Sequence, residues 1–229
     1  MMGVSPPGAM GSPPFPGTRW LGRAAVGFVI YWIVALAFLH ILRPDMDPLV
    51  RTMSEYMCGP YGWLMTTTFF ALAVALGALS LGLSRTLTRT RGSRIGILLV
   101  YVAALGLVVA GVFPGLIGPP QPPACDLAAV EAWIQQAGPM HDISAMIVFL
   151  SLAIALPLLS QRFSRDEWWR SIGSISRGVA GLYVITFVGL LIVVGVGGTD
   201  FLGLGQRLVV GTQLAWFLVV GRRMAQLPP

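Results

Sequence analysis

The chain has 229 residues, of which 55% are hydrophobic and only 10% are charged, and its mean hydropathy is +0.78. Soluble domains carry about 25% charged residues, so this composition excludes an ordinary soluble globular protein and indicates a membrane protein. All 15 basic residues are arginine, and the formal net charge is +6. Arginines beside apolar spans face anionic lipid headgroups, so the positive charge does not require nucleic acid. We expect membrane lipids as partners and no nucleic acid.

The first segment of the chain is rich in proline, glycine and serine. Residues 1–20 read "MMGVSPPGAMGSPPFPGTRW" and show almost no apolar periodicity. We therefore expect residues 1–23 to form a disordered cytoplasmic tail. The apolar stretch that follows starts at residue 24 and is long, which favours a retained first span over a cleaved signal peptide.

Six predominantly apolar stretches follow, each near the roughly 20 residues that a helix needs to cross a hydrocarbon core. They cover residues 24–42, 63–84, 95–113, 143–160, 178–196 and 203–220. The last is the weakest, because Gln206 and Arg207 interrupt its start. The sequence predicts an all-α fold, a polytopic membrane protein with a six-helix transmembrane bundle over residues 24–223 and a short cytoplasmic tail over 224–229.

The arginines divide unequally between the two ends of these spans. Arg43, Arg51 and Arg207 share one side with seven of the nine acids, and the other twelve arginines share the opposite side. Because cytoplasmic loops carry an excess of basic residues, we expect the side with twelve arginines to face the cytoplasm. This topology puts both termini inside and residues 43–62, 114–142 and 197–202 outside. It makes the chain a multi-pass protein of the cytoplasmic (inner) membrane.

The first outer loop concentrates charge. Five charged residues fall within 13 positions: Arg43, Asp45, Asp47, Arg51 and Glu55. The Asp-Pro pair at 47–48 is typical of a helix start, and the Gly-Pro pair at 59–60 is typical of a helix end. A helix of about ten residues between the two pairs would place Asp47, Arg51 and Glu55 on one face.

Two cysteines and two histidines lie at the predicted outer side. Cys58 and Cys125 either form a disulfide between two outer loops or are two thiols in loops that do not meet. His40 closes the first span and His141 opens the fourth. Two histidines at similar depth could bind haem axially or hold a metal ion, and the alternative is that each hydrogen-bonds nearby loop groups.

Further reactive side chains occur near the same depth. Arg207 lies close to the outer interface, where it either pairs with an acid or extends to the headgroups; the acids available are Glu55, Asp47, Asp142 and Asp200. Ser54-Glu55 and His141-Asp142 together supply a hydroxyl, two carboxylates and an imidazole, which is the inventory of a hydrolase. No standard catalytic motif accompanies them. Whether the protein is an enzyme stays open.

The segment "LRPDMDPLVRTMSEYMCGPYGWLMTTTFFALA", with "AGVFPG" closing the third span and "MHDISA" opening the fourth, resembles the family catalogued as domain of unknown function 998. The resemblance runs from about residue 24 to 223 and implies six helices and a polar first outer loop, but no activity. It maps the family pattern onto Arg43, Asp45, Asp47, Ser54, Glu55, Tyr56 and His141. The loop that bears Cys125 departs from the pattern, so the resemblance implies no shared role for that cysteine.

These observations predict an outer polar cluster, made of Arg43, Asp45, Asp47, Arg51, Ser54, Glu55, Tyr56, His141, Asp142 and Arg207. We expect this cluster to be part of a lipid-interacting protein or of an accessory subunit that joins a partner membrane subunit. An alternative is a membrane-embedded enzyme, or a protein that binds metal or haem through His40 and His141. A small-molecule permease is the third hypothesis. It is ranked last because a permease needs a polar path through the bundle, and polar residues deep in the spans are few: Thr66 to Thr68, Thr212 and Gln213.

Overall fold

The structure is a computed structural model that describes residues 17–113, 132–198 and 200–228. In these residues the chain is helical, without a β-strand. The long helices are α1 (Thr18–Leu42), α2 (Gly62–Thr86), α3 (Arg91–Val112), α4 (Ala132–Phe163), α5 (Gly173–Gly195) and α6 (Leu202–Ala225). Two short 3-10 helices, Met53–Met57 and Arg170–Ile172, lie in the connections. The predicted all-α fold is confirmed.

Six helices among the described residues are long and apolar enough to cross a membrane. The predicted spans are therefore confirmed, and the helices extend past most of the predicted bounds by a few residues. The sixth span is the least apolar, with a hydropathy of 1.2 against 1.9 or more in the others. It still forms a continuous helix, because a helix satisfies its own backbone in an apolar surrounding.

The helices form a ring in chain order. Each packs against the next along the chain, from α1 to α6, and α6 returns to pack against α1. The helices α1 and α6 pack closely at Gly22, where an added Cβ would clash with backbone atoms of Gly221 and Ala225. Small residues of this kind let two helix backbones pack closely inside a membrane.

The bundle has two chemically different ends. We call the end that carries residues 43–61 the acidic end, and the opposite one the arginine-rich end. Arg19 donates from Nε to the carbonyl oxygen of Leu227 over 2.6 Å, so the two ends of the described chain meet at the arginine-rich end. At the same end, Asp166 accepts hydrogen bonds from Thr88 N and Oγ1 and thereby joins the α2–α3 and α4–α5 connections.

Candidate functional site

Residues 43–61 fold over the acidic end, and we call them the cap. The predicted ten-residue helix from position 47 is wrong. Asp47 accepts from Leu49 N at 2.9 Å, which closes a local turn, and Thr52 is extended at φ −69° and ψ 157°. Only the 3-10 helix Met53–Met57 follows. Asp47 is therefore exposed, away from the stripe predicted for Arg51 and Glu55, because its side chain competes locally with the helix.

A buried ion pair forms the centre of the cap. Arg51 Nη1 donates to Glu55 Oε2 at 2.9 Å, and the Glu55 side chain is only 4% exposed. The other carboxylate oxygen of Glu55 accepts from Thr52 N at 2.8 Å and from Thr52 Oγ1 at 2.9 Å. Both oxygens of this buried carboxylate therefore have hydrogen-bond donors, as a buried charge requires.

A second ion pair ties the end of α1 to the cap. Arg43 donates from Nε and Nη2 to the two carboxylate oxygens of Asp45, and from Nη1 to the carbonyl oxygen of Cys58 at 2.8 Å. The hydrogen bond with Asp45 raises the pKa of Arg43 and lowers the pKa of Asp45. Arg43 is buried, whereas the Asp45 side chain is 60% exposed. The guanidinium therefore carries the structural role.

Arg207 connects α6 to the cap through a histidine. Its Nε and Nη2 lie 3.2 Å and 3.1 Å from His40 Nε2, and its Nη1 donates to the carbonyl oxygen of Arg51 at 2.7 Å. A guanidinium can only donate, and His40 Nδ1 lies 2.7 Å from the carbonyl oxygen of Leu36. His40 is therefore the neutral tautomer with its proton on Nδ1.

Of the two alternatives predicted for Arg207, pairing with a carboxylate is not found among the described residues. Among these residues Arg207 forms no ion pair with Glu55, Asp47, Asp142 or Asp200. A neutral imidazole and two backbone carbonyl oxygens accept hydrogen bonds from the guanidinium instead, because the cap backbone packs against the start of α6. The first amides of α6 confirm this contact, since Gly203 N and Leu204 N donate to the carbonyl oxygens of Val50 and Leu49.

The remaining cap residues hold the 3-10 helix in place. Tyr56 is fully buried, donates to the carbonyl oxygen of Met46 at 3.3 Å, and lies 5.3 Å from the His40 ring between centroids. Burial raises the pKa of Tyr56. Met53 N donates to Gln206 Oε1 at 2.7 Å, which is a second link between the cap and α6.

His141 and Asp142 do not join the ion pairs of the cap. His141 is 2% exposed, and its Nδ1 lies 2.9 Å and 2.7 Å from the carbonyl oxygens of Ala110 and Phe113. It therefore donates from Nδ1 to the end of α3. Asp142 Oδ2 is buried and has no hydrogen-bond partner among the described residues. The predicted cluster thus divides into a connected cap and a separate His141-Asp142 pair on α4.

The haem or metal hypothesis stays a prediction from sequence. His40 Nε2 is already occupied by Arg207, and His141 contacts a different set of residues. Within residues 17–113, 132–198 and 200–228 no group of three or more histidines, cysteines or acids could hold a metal ion. Cys58 is buried in the cap, whereas Cys125 lies outside the described residues, so the disulfide also stays a prediction.

A cavity of about 50 Å³ lies beneath the cap, and sequence reasoning missed it. Five of the six long helices line it, all except α5, together with Met53 and Ser54 of the cap. Its walls are mostly apolar, and its polar lining residues are Ser54, His141, Gln206 and Gln213. A water molecule needs roughly 10–15 Å³ by this measure, so the cavity admits about three to five groups of that size.

Gln213 is the unusual member of the lining. It is 2% exposed, and its Oε1 is buried without a hydrogen-bond partner in the described part of the chain. An unpaired buried amide costs about 1–3 kcal/mol, so such a group calls for a water molecule or a ligand. The sequence shows that a glutamine lies within the sixth span, but it contains no signal that this side chain faces a cavity.

Comparison with known proteins gives a family and no activity. The family model described as "Protein of unknown function (DUF998)" matches residues 25–223, which include the cap and every residue that lines the cavity. No match was found among curated proteins, and none among solved structures. The chain belongs to the DUF998 family of proteins of unknown function.

Proposed function

We propose that this membrane protein binds an uncharged lipid by placing its polar head group in the cavity beneath the cap. The observation that carries the proposal is the buried amide oxygen of Gln213 on the cavity wall, which has no hydrogen-bond partner among the described residues. A hydroxyl group or an amide N–H of a bound lipid would donate the missing hydrogen bond to this oxygen. The apolar remainder of such a lipid matches the apolar lining and the surrounding bilayer.

The charge of the lining supports a neutral ligand. The three arginines of the acidic end contact Asp45, Glu55, His40 and backbone carbonyls, and none of them lines the cavity. A phosphate placed there would be a buried charge without a cation, which costs far more than one unpaired amide. His141 uses Nδ1 for its contacts with α3, so its Nε2 is the ring nitrogen left for a hydroxyl group of the ligand.

The proposed orientation follows from the arginine distribution. Twelve arginines at one end support a cytoplasmic location for that end in the inner membrane. The cap and the cavity would then lie near the outer leaflet. In this arrangement the paired charges of the cap stabilise the closure above the bound head group and have no catalytic role.

One observation favours a second candidate, an enzyme that acts on the same lipid. Ser54 and His141 both line the cavity, and a hydroxyl with a nearby imidazole is the minimum for nucleophilic attack on an ester. In that case Ser54→Ala abolishes turnover of the bound lipid and leaves its binding intact. Gln213→Leu would abolish both.

Native mass spectrometry of gently extracted protein tests the proposal. We expect wild type to carry one neutral lipid per chain and Gln213→Leu to lose it. Gln226→Leu is the matched control. It replaces the same side chain by the same residue, but at an exposed position of the arginine-rich end. The proposal would be contradicted if wild-type protein never carried an added lipid mass, or if the Gln213→Leu variant kept the same added mass as wild type.

A further inference from the structure

A surface groove runs between α1 and α6 at the arginine-rich end, far from the cavity and the cap. Its volume is about 470 Å³, and it is lined by Arg23, Val26, Gly27, Leu218, Arg222 and Ala225. One arginine comes from each helix, and the walls between them are apolar. The groove therefore combines two cations with a surface for a hydrocarbon chain.

The glycines of α1 shape this groove. At Gly22 the two helices touch, since an added Cβ would clash with the backbone of α6. At Gly27, less than two turns further along α1, the position of a Cβ has no heavy atom within 4 Å. The close contact at Gly22 closes one end of the groove, and the open space at Gly27 leaves room for an acyl chain.

The arginines of this end have two different roles. Arg19 and Arg223 are used inside the fold, because they donate to the carbonyl oxygens of Leu227 and Trp168. Arg23 and Arg222 are exposed and form no hydrogen bond or ion pair with any residue that the structure describes. The Arg23 guanidinium lies 4.8 Å from the ring centre of Trp20, which is itself 69% exposed. Exposed tryptophan beside arginine is typical of headgroup depth.

We propose that the groove binds an anionic phospholipid. Its phosphate lies between Arg23 and Arg222, and one acyl chain runs over Gly27 between Val26 and Leu218. Charge complementarity selects this occupant, since two guanidinium groups that form no ion pair with any described residue flank an apolar channel. The groove differs from the cavity in location and in the charge of its ligand, so the two proposals stand or fall separately.

Titration of the detergent-solubilised protein with phosphatidylglycerol and phosphatidylcholine, followed by native mass spectrometry, tests this groove. For R23Q/R222Q we expect roughly thirtyfold weaker binding of phosphatidylglycerol. Each substitution removes the attraction of one arginine for an anionic headgroup, and two such losses correspond to this fold-change. Phosphatidylcholine should bind wild type and variant alike. Arg177→Gln removes an exposed arginine of the same end on α5 and should change the affinity by no more than about twofold.

A steric variant separates the groove from general surface charge. Gly27→Leu keeps both arginines but fills the channel, so it should also weaken phosphatidylglycerol binding, and its unfolding temperature should stay near that of wild type because the added side chain meets open space. Gly189→Leu, at an equally open position on α5, is its control. The proposal is overturned if R23Q/R222Q binds phosphatidylglycerol like wild type, or if Gly27→Leu and Gly189→Leu bind it equally well.

Discussion

The cap and the cavity beneath it are adjacent but differ in how their buried polar groups are hydrogen-bonded. In the cap, Arg51 pairs with Glu55 and Arg43 with Asp45, and every oxygen of the buried Glu55 carboxylate has a donor. In the cavity, the amide oxygen of Gln213 has no hydrogen-bond partner among the described residues. Charges that hold a fold together are saturated by the fold itself. A neutral group that the fold leaves unsatisfied points to a ligand.

The largest expected effect tests the structural half of this contrast. Glu55→Ala leaves the Arg51 guanidinium and the Thr52 amide without their shared acceptor, so the free energy of unfolding should fall by about 3–5 kcal/mol. Asp45→Ala removes a carboxylate that is 60% exposed and should cost less than about 1 kcal/mol. Denaturant unfolding in detergent measures both. Equal losses would mean that burial does not separate the two ion pairs.

The second prediction asks whether the cap is also held covalently. If Cys58 is bonded to Cys125, the intact protein weighs less than the reduced protein by two hydrogen atoms, and it resists alkylation until it is reduced. The variant Cys58→Ser should then lose about 2–4 kcal/mol of stability. Alkylation of both cysteines without reductant would contradict the bond and leave the cap held by its ion pairs and hydrogen bonds.

Two glutamines on α6 sharpen the contrast by the opposite signs of their effects. Gln206 accepts from Met53 N at 2.7 Å, so Gln206→Leu should destabilise the protein by about 1 kcal/mol. Gln213→Leu removes an unsatisfied amide from the lipid-free protein and should raise stability by about 1 kcal/mol. Both glutamines belong to α6 and line the same cavity, so each substitution controls for the general effect of placing leucine there. Losses of equal size would show that Gln213 has a partner within the fold.

The smallest effect concerns alkaline pH. Burial raises the pKa of Tyr56 above its ordinary value of 10.0, so the folded state holds this proton more tightly than the unfolded state. Its contribution to stability is therefore complete below pH 10 and is lost as the pH rises through the folded-state pKa. The difference in unfolding free energy between wild type and Tyr56→Phe should shrink over that range. A constant difference would mean that Tyr56 is accessible to water.

The helical spans could be predicted from sequence, because length and apolarity alone determine which segments can cross a bilayer. The cap could be predicted only in part. The sequence identifies its charged residues but predicts a helix at Asp47, since sequence patterns do not reveal that the Asp47 side chain accepts from Leu49 N. The partner of Arg207 was missed because a neutral histidine is not the partner that charge suggests.

The cavity could not be predicted at all. It depends on five helices that close around a space, and no local pattern encodes the distance between residues such as Ser54 and His141. The sequence directed attention to the five charges of the first loop, and four of them form the two ion pairs of the cap. Gln213, one polar residue in an apolar span, carries the stronger functional signal once its surroundings are known.

Delipidation of wild type and of Gln213→Leu, with the free energy of unfolding measured before and after, tests the cavity proposal most directly. A ligand that binds only the folded state stabilises it in proportion to its occupancy, by about 2.7 kcal/mol at a hundredfold excess over the dissociation constant. We predict that removal of neutral lipid destabilises wild type and leaves Gln213→Leu unchanged. An equal change in both proteins, or no change in wild type, would contradict the account.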